Sequence, residues 1–340
     1  MKKPDYISPS ALQLWQSNPE AYVTKYLCEH RPPPTKQTEP MAVGSAFDAY
    51  AKAEIHRRLF GPNHRDSQQF EFATIFDEQV EEQNRDFAID AGQRCFAAYE
   101  TSGAFRVLMQ TLEAASEEPK MEFTALGSVN EHGGIYAPVK GGLSDNPVVM
   151  LGKPDLTFTT KAGLYVIFDW KVNGYCSKSG VSPAAGYVRL RNGWQDSPST
   201  PHTRKHLQAH PSACVMPHMD LTINAVPNLE RSKKDWARQL ACYGWITGVP
   251  VGEEMILAID QLACKPDGIS IAEHRCPVTK EFQVETYEQF QSCWDVVTSD
   301  HLFRDMSLED SQARCTILEG QAKAYYGEHG DFLRQITGRK

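Results

Sequence analysis

Two aspartates and a lysine near the middle of the chain have the types and spacing to work on a phosphate ester. Asp155 closes the run Gly152-Lys153-Pro154-Asp155, and after thirteen intervening residues comes Asp169-Trp170-Lys171. Successive side chains in a strand point to opposite faces. A strand ending at Lys171 therefore puts Leu164, Val166, Phe168 and Trp170 on one face, and Tyr165, Ile167, Asp169 and Lys171 on the other. Asp155 opens the preceding strand of a hairpin, within reach of Asp169 when the register suits. Two carboxylates with no fixed counterion repel each other, and a hard divalent cation removes the repulsion. Mg²⁺ favours one or two protein carboxylates together with water and phosphate oxygens. Such an ion acidifies a bound water and neutralises charge on a phosphate. A neighbouring lysine orients that water or stabilises the transition state. Taken alone, the same pattern also fits an ion pair at the exposed end of a strand.

The surrounding elements must hold these residues. Ser8-Pro9 and Asn18-Pro19 each read as a helix cap followed by proline at the first helical position. Residues 31–40 contain four prolines and form a connector. Val43, Phe47, Ala51 and Ile55 recur every four residues and predict a helix to about Leu59. Residues 75–118 read as helical with a break at Ser102-Gly103. Strands are expected over 121–126, 134–139, 147–151, 155–160 and 164–170 as an antiparallel meander. A long irregular stretch, 173–219, precedes a strand at 221–226 and a helix over 233–247 that Gly248 and Pro250 stop. Strands at 254–260 and 269–274 and helices from Tyr287 onward complete the chain.

The 340 residues are 41% hydrophobic, enough for a large core, and the net charge is −8. That balance argues against nucleic-acid binding through bulk charge. Residues 172–212 depart from it: Lys178, Arg189, Arg191, Arg204 and Lys205 face only Asp196, a local +4. This basic insertion is the expected DNA contact; a solvated loop is the alternative. No apolar run approaches the roughly 20 residues that span a bilayer, and no apolar stretch follows Lys2 and Lys3. The expectation is a cytoplasmic protein without a membrane partner. Nine scattered cysteines with no Cys-x-x-Cys pair fit reduced thiols. His202, His206, His210, Cys214 and His218 are spaced four apart, but Pro211 and Pro217 break the helix that would align them. No structural zinc is expected.

Five segments in order resemble the RecB-like branch of the PD-(D/E)XK nucleases, in particular its stand-alone phage and prophage members. They are Ile7 to Trp15 with Asn18-Pro19, Gly44-Ser45-Ala46-Phe47-Asp48, Gly152 to Asp155, Ile167 to Lys171, and Gln239-Leu240-Ala241-Cys242-Tyr243. The resemblance implies Asp155 and Asp169 as metal ligands with the main-chain carbonyl of Trp170, and Lys171 acting on water or phosphate. It places Gln239 and Tyr243, one turn apart on a helix, against the catalytic strand and the DNA backbone; an ordinary amphipathic helix is the alternative. Asp48 stands where that branch has a histidine ligand, and Glu122 where relatives have an acid supporting a second metal. Some relatives carry an iron–sulfur cluster. Cys264, Cys276, Cys293 and Cys315 lack the tight spacing it needs, so none is expected.

The expected fold is α+β, a restriction-endonuclease-like core with a mixed central sheet flanked by helices. An N-terminal helical region (1–120), the core with its insertion (121–286) and a C-terminal helical region (287–340) pack as one domain. The expected function is a Mg²⁺- or Mn²⁺-dependent deoxyribonuclease, an exonuclease on linear duplex or single-stranded ends in recombination, repair or phage DNA processing. A single-strand annealing or recombination protein is a candidate partner, and the host cytoplasm the expected place. An endonuclease on the same scaffold, a catalytically silent DNA-binding or recombination protein, and action on RNA stay open.

Overall fold

In the computed structural model, the described residues are 1–122, 124–129, 146–173, 189–191, 194–196, 229–231, 233–265 and 268–327. The expected strands at 134–139 and 221–226 lie outside them, as do Lys178, Arg204, Lys205 and the His202 to His218 run. Arg189 and Arg191 belong to a short antiparallel pair, β6 (Arg189–Arg191) with β7 (Trp194–Asp196), whose side chains are outside the description.

Both N-terminal caps form as the sequence predicts. The Ser8 hydroxyl accepts from the Ala11 N–H at the head of α1 (Pro9–Ser17). Asn18 accepts from the Ala21 N–H at the head of α2 (Pro19–Tyr22), which runs on through one wide turn to Leu27. The connector ends earlier than expected, because Pro40 sits in the first turn of α3 (Glu39–Leu59). Val43, Phe47, Ala51 and Ile55 are all buried along it. The helices α4 (Phe72–Gln79), α5 (Arg85–Ser102) and α6 (Ala104–Glu113) follow. Gly103 makes the break between the last two in the left-handed conformation, φ 88°.

The central sheet has five strands in the order β1-β4-β5-β8-β9: β1 (Lys120–Met121), β4 (Leu156–Thr159), β5 (Tyr165–Asn173), β8 (Ile256–Lys265) and β9 (Gly268–Pro277). All pairs are antiparallel except β5 with β8, which run parallel from Val166↔Ile256 to Asn173↔Ala263. The sheet is therefore mixed and flanked by helices, as expected for this chain. The predicted meander differs in one respect. The segment 121–126 divides, and β2 (Ala125–Val129) leaves the main sheet to pair with β3 (Val148–Gly152), which Ile7 also joins by a parallel bridge.

Helices cover both faces. Val166, Phe168 and Trp170 of β5 pack into the cluster formed by α3 to α6. Ile167, with Leu257 and Ile259 of β8, packs under α7 (Lys234–Ile246), the N-terminal helices and α8 (Lys280–Val297). The last helix, α9 (Leu308–Tyr326), joins that second cluster through Cys315, Leu318 and Ala322. Helix α7 lies close over β3. A methyl group on Gly152 would come within 2.5 Å of Tyr243 Cδ1 and Ile246 Cδ1. No helix among the described residues is long and apolar enough to cross a membrane.

Candidate active site

The face alternation of β5 puts Asp169 and Lys171 together, away from Trp170. Lys171 Nζ lies 2.6 Å from Asp169 Oδ2. Antiparallel pairing of β4 with β5 runs to Leu156↔Phe168, so Asp155, one residue further, falls level with Asp169. Its Oδ2 accepts the Trp170 N–H at 3.2 Å, which ties the two segments of the motif directly.

Helix α7 reaches the site from the other side. Gln239 and Tyr243 share a face of α7, one turn apart. Lys171 Nζ donates to Gln239 Oε1 at 2.9 Å, and Gln239 Nε2 donates to the Tyr243 hydroxyl at 2.8 Å. The chain Asp169–Lys171–Gln239–Tyr243 thus crosses from sheet to helix. A pocket of about 400 Å³ opens beside it, lined by Gln239, Tyr243, Gly152, Lys153, Arg238 and Ser8 among others.

Asp48 and Glu122 also converge on Asp155, but through a residue that the motif comparison did not single out. Lys52, on α3 one turn after Asp48, contacts Asp48 Oδ2, Glu122 Oε2 at 2.9 Å and Asp155 Oδ1 at 3.1 Å. Its side chain is 2% exposed. Glu122 sits just after β1 with a left-handed backbone, φ 39°, a conformation a non-glycine residue adopts at some cost. Its carboxylate also meets Lys153 and accepts from Gln79 Nε2 at 2.9 Å. The sequence carried a signal for Lys52: an acid four residues before a lysine, beside the apolar stripe of a helix.

Burial raises the pKa of Asp48 and of Asp169, with the Asp155 charge adding to both and the lysines opposing. Burial also pushes Asp155 upward, but Lys52, Lys171 and the Trp170 N–H outweigh it and hold its carboxyl below the usual range. The cluster as it stands has more carboxylate than its own lysines comfortably keep ionised. Asp169 Oδ2 is buried and, apart from the ion pair with Lys171, receives no hydrogen bond of good geometry. A divalent cation at Asp155 and Asp169 fits the acceptor-only chemistry of the pair. Among the described residues, no group of three or more His, Cys, Asp or Glu side chains is set to hold a metal ion. Asp48, Glu122 and Asp155 close on an ammonium instead.

A second charged network lies on the opposite face of the sheet, and sequence reasoning missed it. Asp260, fully buried on β8, pairs with Arg275 Nη2 of β9 at 2.6 Å and accepts from the Tyr99 hydroxyl. Trp170 Nε1 donates to that same hydroxyl at 3.4 Å. The middle residue of the Asp-Trp-Lys motif is thereby anchored behind the site.

The chain belongs to the PD-(D/E)XK nuclease superfamily, whose family model matches residues 6–195. That span contains Asp48, Lys52, Glu122, Asp155, Asp169 and Lys171, and ends before Gln239 and Tyr243. The match makes the protein a nuclease by family. Among solved structures, one named "Crystal structure of SSO0001" is similar over 83% of this chain and 82% of that chain, at 12% identity and a TM-score of 0.23. No curated protein matches the chain.

Proposed function

We propose that the protein is a metal-dependent deoxyribonuclease that hydrolyses phosphodiester bonds at the end of β5. The observation that carries this reading is the joining of Asp155, Asp169 and Lys171, with Lys171 held at 2.6 Å from Asp169 and 2.9 Å from Gln239. Asp155 and Asp169 would hold one Mg²⁺ or Mn²⁺, helped by the main-chain carbonyl of Trp170. When bound, that ion supplies an acidified water and neutralises charge developing on the phosphate.

The protein's own groups do the rest. Lys171 is fixed by two partners, so its remaining N–H is oriented without the entropy cost a free lysine would incur. It is placed to donate to the attacking water or to a non-bridging phosphate oxygen. Gln239 and Tyr243 set the direction of that ammonium and border the pocket where a nucleic-acid backbone would lie. The basic insertion, with Lys178, Arg189, Arg191, Arg204 and Lys205, is the proposed DNA contact. Exonuclease action on linear ends, in recombination, repair or phage DNA processing, rests on the resemblance to the RecB-like branch. The same resemblance supports the cytoplasm as its place and an annealing or recombination protein as its partner.

End-labelled linear DNA and closed circular DNA, incubated with Mg²⁺, Mn²⁺ or EDTA, test the proposal. The expected result is metal-dependent loss of linear DNA alone, abolished by Asp169→Ala and Lys171→Ala. Cutting of the circle would replace the exonuclease with an endonuclease. A folded wild type that cuts neither substrate in either metal would overturn the nuclease reading in favour of a binding role.

A further inference from the structure

Lys52 is an unusual lysine. A helix-surface lysine with an acid one turn away is normally exposed, and such a pair contributes little. Lys52 is almost fully enclosed, and its ammonium touches carboxylates from three separate parts of the chain: Asp48 of α3, Glu122 after β1 and Asp155 before β4. An ammonium has three N–H donors; Asp48 and Asp155 each accept one, and Glu122 Oε2 adds an ion pair at 2.9 Å. Withdrawing this charge from water is costly. A methionine of similar length would fill the same space without that cost, so the charge itself is what the site keeps.

The surroundings are built around it. Glu122 is held in place by its left-handed backbone, by its N–H donating to the Asp155 carbonyl at 3.0 Å, and by Gln79 and Lys153. The charges give the same answer. Asp48, Glu122, Asp155 and Asp169 against Lys52, Lys153 and Lys171 leave a formal net of −1. One divalent cation plus one phosphodiester brings that sum to zero. Two divalent cations would leave +2 in a largely buried site.

We propose that Lys52 is a tethered cation standing where a second divalent ion would otherwise sit among Asp48, Glu122 and Asp155, so that each chain takes up a single Mg²⁺ or Mn²⁺. This rests on the reading of Asp155 and Asp169 as metal ligands. Lys52 is a positioning residue: it orients Asp155 and cannot dissociate when free metal is scarce.

Counting bound Mn²⁺ tests this without any activity measurement. Free Mn²⁺ is read by its electron paramagnetic resonance signal, at an ionic strength that strips weakly held surface ions. Wild type should bind one Mn²⁺ per chain and Lys52→Met two, with the second lost again in Lys52→Met/Asp48→Asn. Melting temperature should rise more with Mn²⁺ for Lys52→Met than for wild type. If Lys52→Met does not fold without metal, it is refolded in Mn²⁺ and Lys52→Gln is counted beside it, with two ions per chain again expected and one overturning the proposal. Two ions in wild type would overturn this proposal and leave the nuclease reading standing. One ion in Lys52→Met would reduce Lys52 to an ordinary structural residue. No ion in wild type would overturn the metal-ligand reading and this proposal together.

Discussion

Replacing Arg275 with methionine should destabilise the protein more than a substitution at Lys171. Arg275 is 3% exposed and holds Asp260 Oδ1 at 2.6 Å and Glu273 Oε1 at 3.6 Å. Its Nη1 donates to the carbonyls of Ile259 and His274 at 3.1 and 3.0 Å, and its guanidinium lies 5.3 Å from the centre of the Phe168 ring. Removing one partner of a buried pair leaves the other charge uncompensated, which costs about 3–5 kcal/mol. Unfolding entropy of about 2.1 cal/mol/K per residue, over this length, gives about 0.7 kcal/mol/K and a loss of about 4–7 °C in Tm. Asp260→Asn alone should lose a comparable amount. The double variant Asp260→Asn/Arg275→Met should lose less than the sum, because Asp260 no longer loses its partner, while the cost of stranding Glu273 is common to both Arg275 variants. Urea unfolding of the four proteins at neutral pH measures this cycle. Losses that add within about 0.5 kcal/mol would show that the two side chains act independently, and the argument from uncompensated charge would fail.

Other outcomes follow from the same geometry. Gly152→Ala forces its new methyl against Tyr243 and Ile246, so stability should drop by an overpacking cost of about 1–3 kcal/mol, which lowers Tm by about 1–4 °C, and cleavage should fall as Gln239 shifts away from Lys171; unchanged values in both would show that α7 yields freely. His274 is buried with its pKa lowered to about 3, by burial first and then by the Arg275 charge. A lowered histidine contributes stability that is complete above its ordinary value near 6.5 and is lost as pH falls toward 3. Between pH 7 and 5 it should account for about 2 kcal/mol, and urea titrations of His274→Asn should lack that part of the slope. Lys171→Met should lower kcat by about 10²–10³, the range for removing one donor to a developing oxyanion, while DNA binding measured in Ca²⁺ stays near wild type; a comparable loss of binding would make Lys171 an anchor instead. Asp169→Asn should leave the fold intact and abolish cleavage, with Mn²⁺ binding lost in parallel by calorimetry.

Local signals in the sequence were strong wherever one residue sets the backbone. Ser8-Pro9, Asn18-Pro19, Gly103 and Gly248-Pro250 all mark element ends where the structure has them. The alternation from Leu164 to Lys171 gave the two faces of β5 correctly, because one face is apolar throughout. Strand partners were less legible. The parallel pairing of β5 with β8 and the departure of β2 from the main sheet depend on contacts between distant segments. The strands expected at 254–260 and 269–274 extend to Lys265 and Pro277. Asp260, Gln261, Glu273, His274 and Arg275 looked like strand ends in the sequence, and only the pairing of these polar groups with one another lets them lie inside. The helix expected from Tyr287 begins at Lys280, since Thr279 caps it by accepting from the Phe282 N–H. At the site, the motif residues were visible from spacing. Lys52 was marked only by Asp48 four residues before it; Glu122 and Asp155 join it only in the folded chain.

The long path from β5 to α7 sets an order of events during synthesis. Gln239 comes 68 positions after Lys171, and β8, which lines the whole far edge of β5, follows later still. At the usual pace of about 5–20 residues per second, that interval lasts several seconds. Until it ends, β5 has β4 on one side and an open edge on the other, and Lys171 has no amide to hold it. A nascent chain therefore emerges with the Asp169–Lys171–Gln239–Tyr243 chain unfinished, and more than two-thirds of the protein must be made before Gln239 can dock.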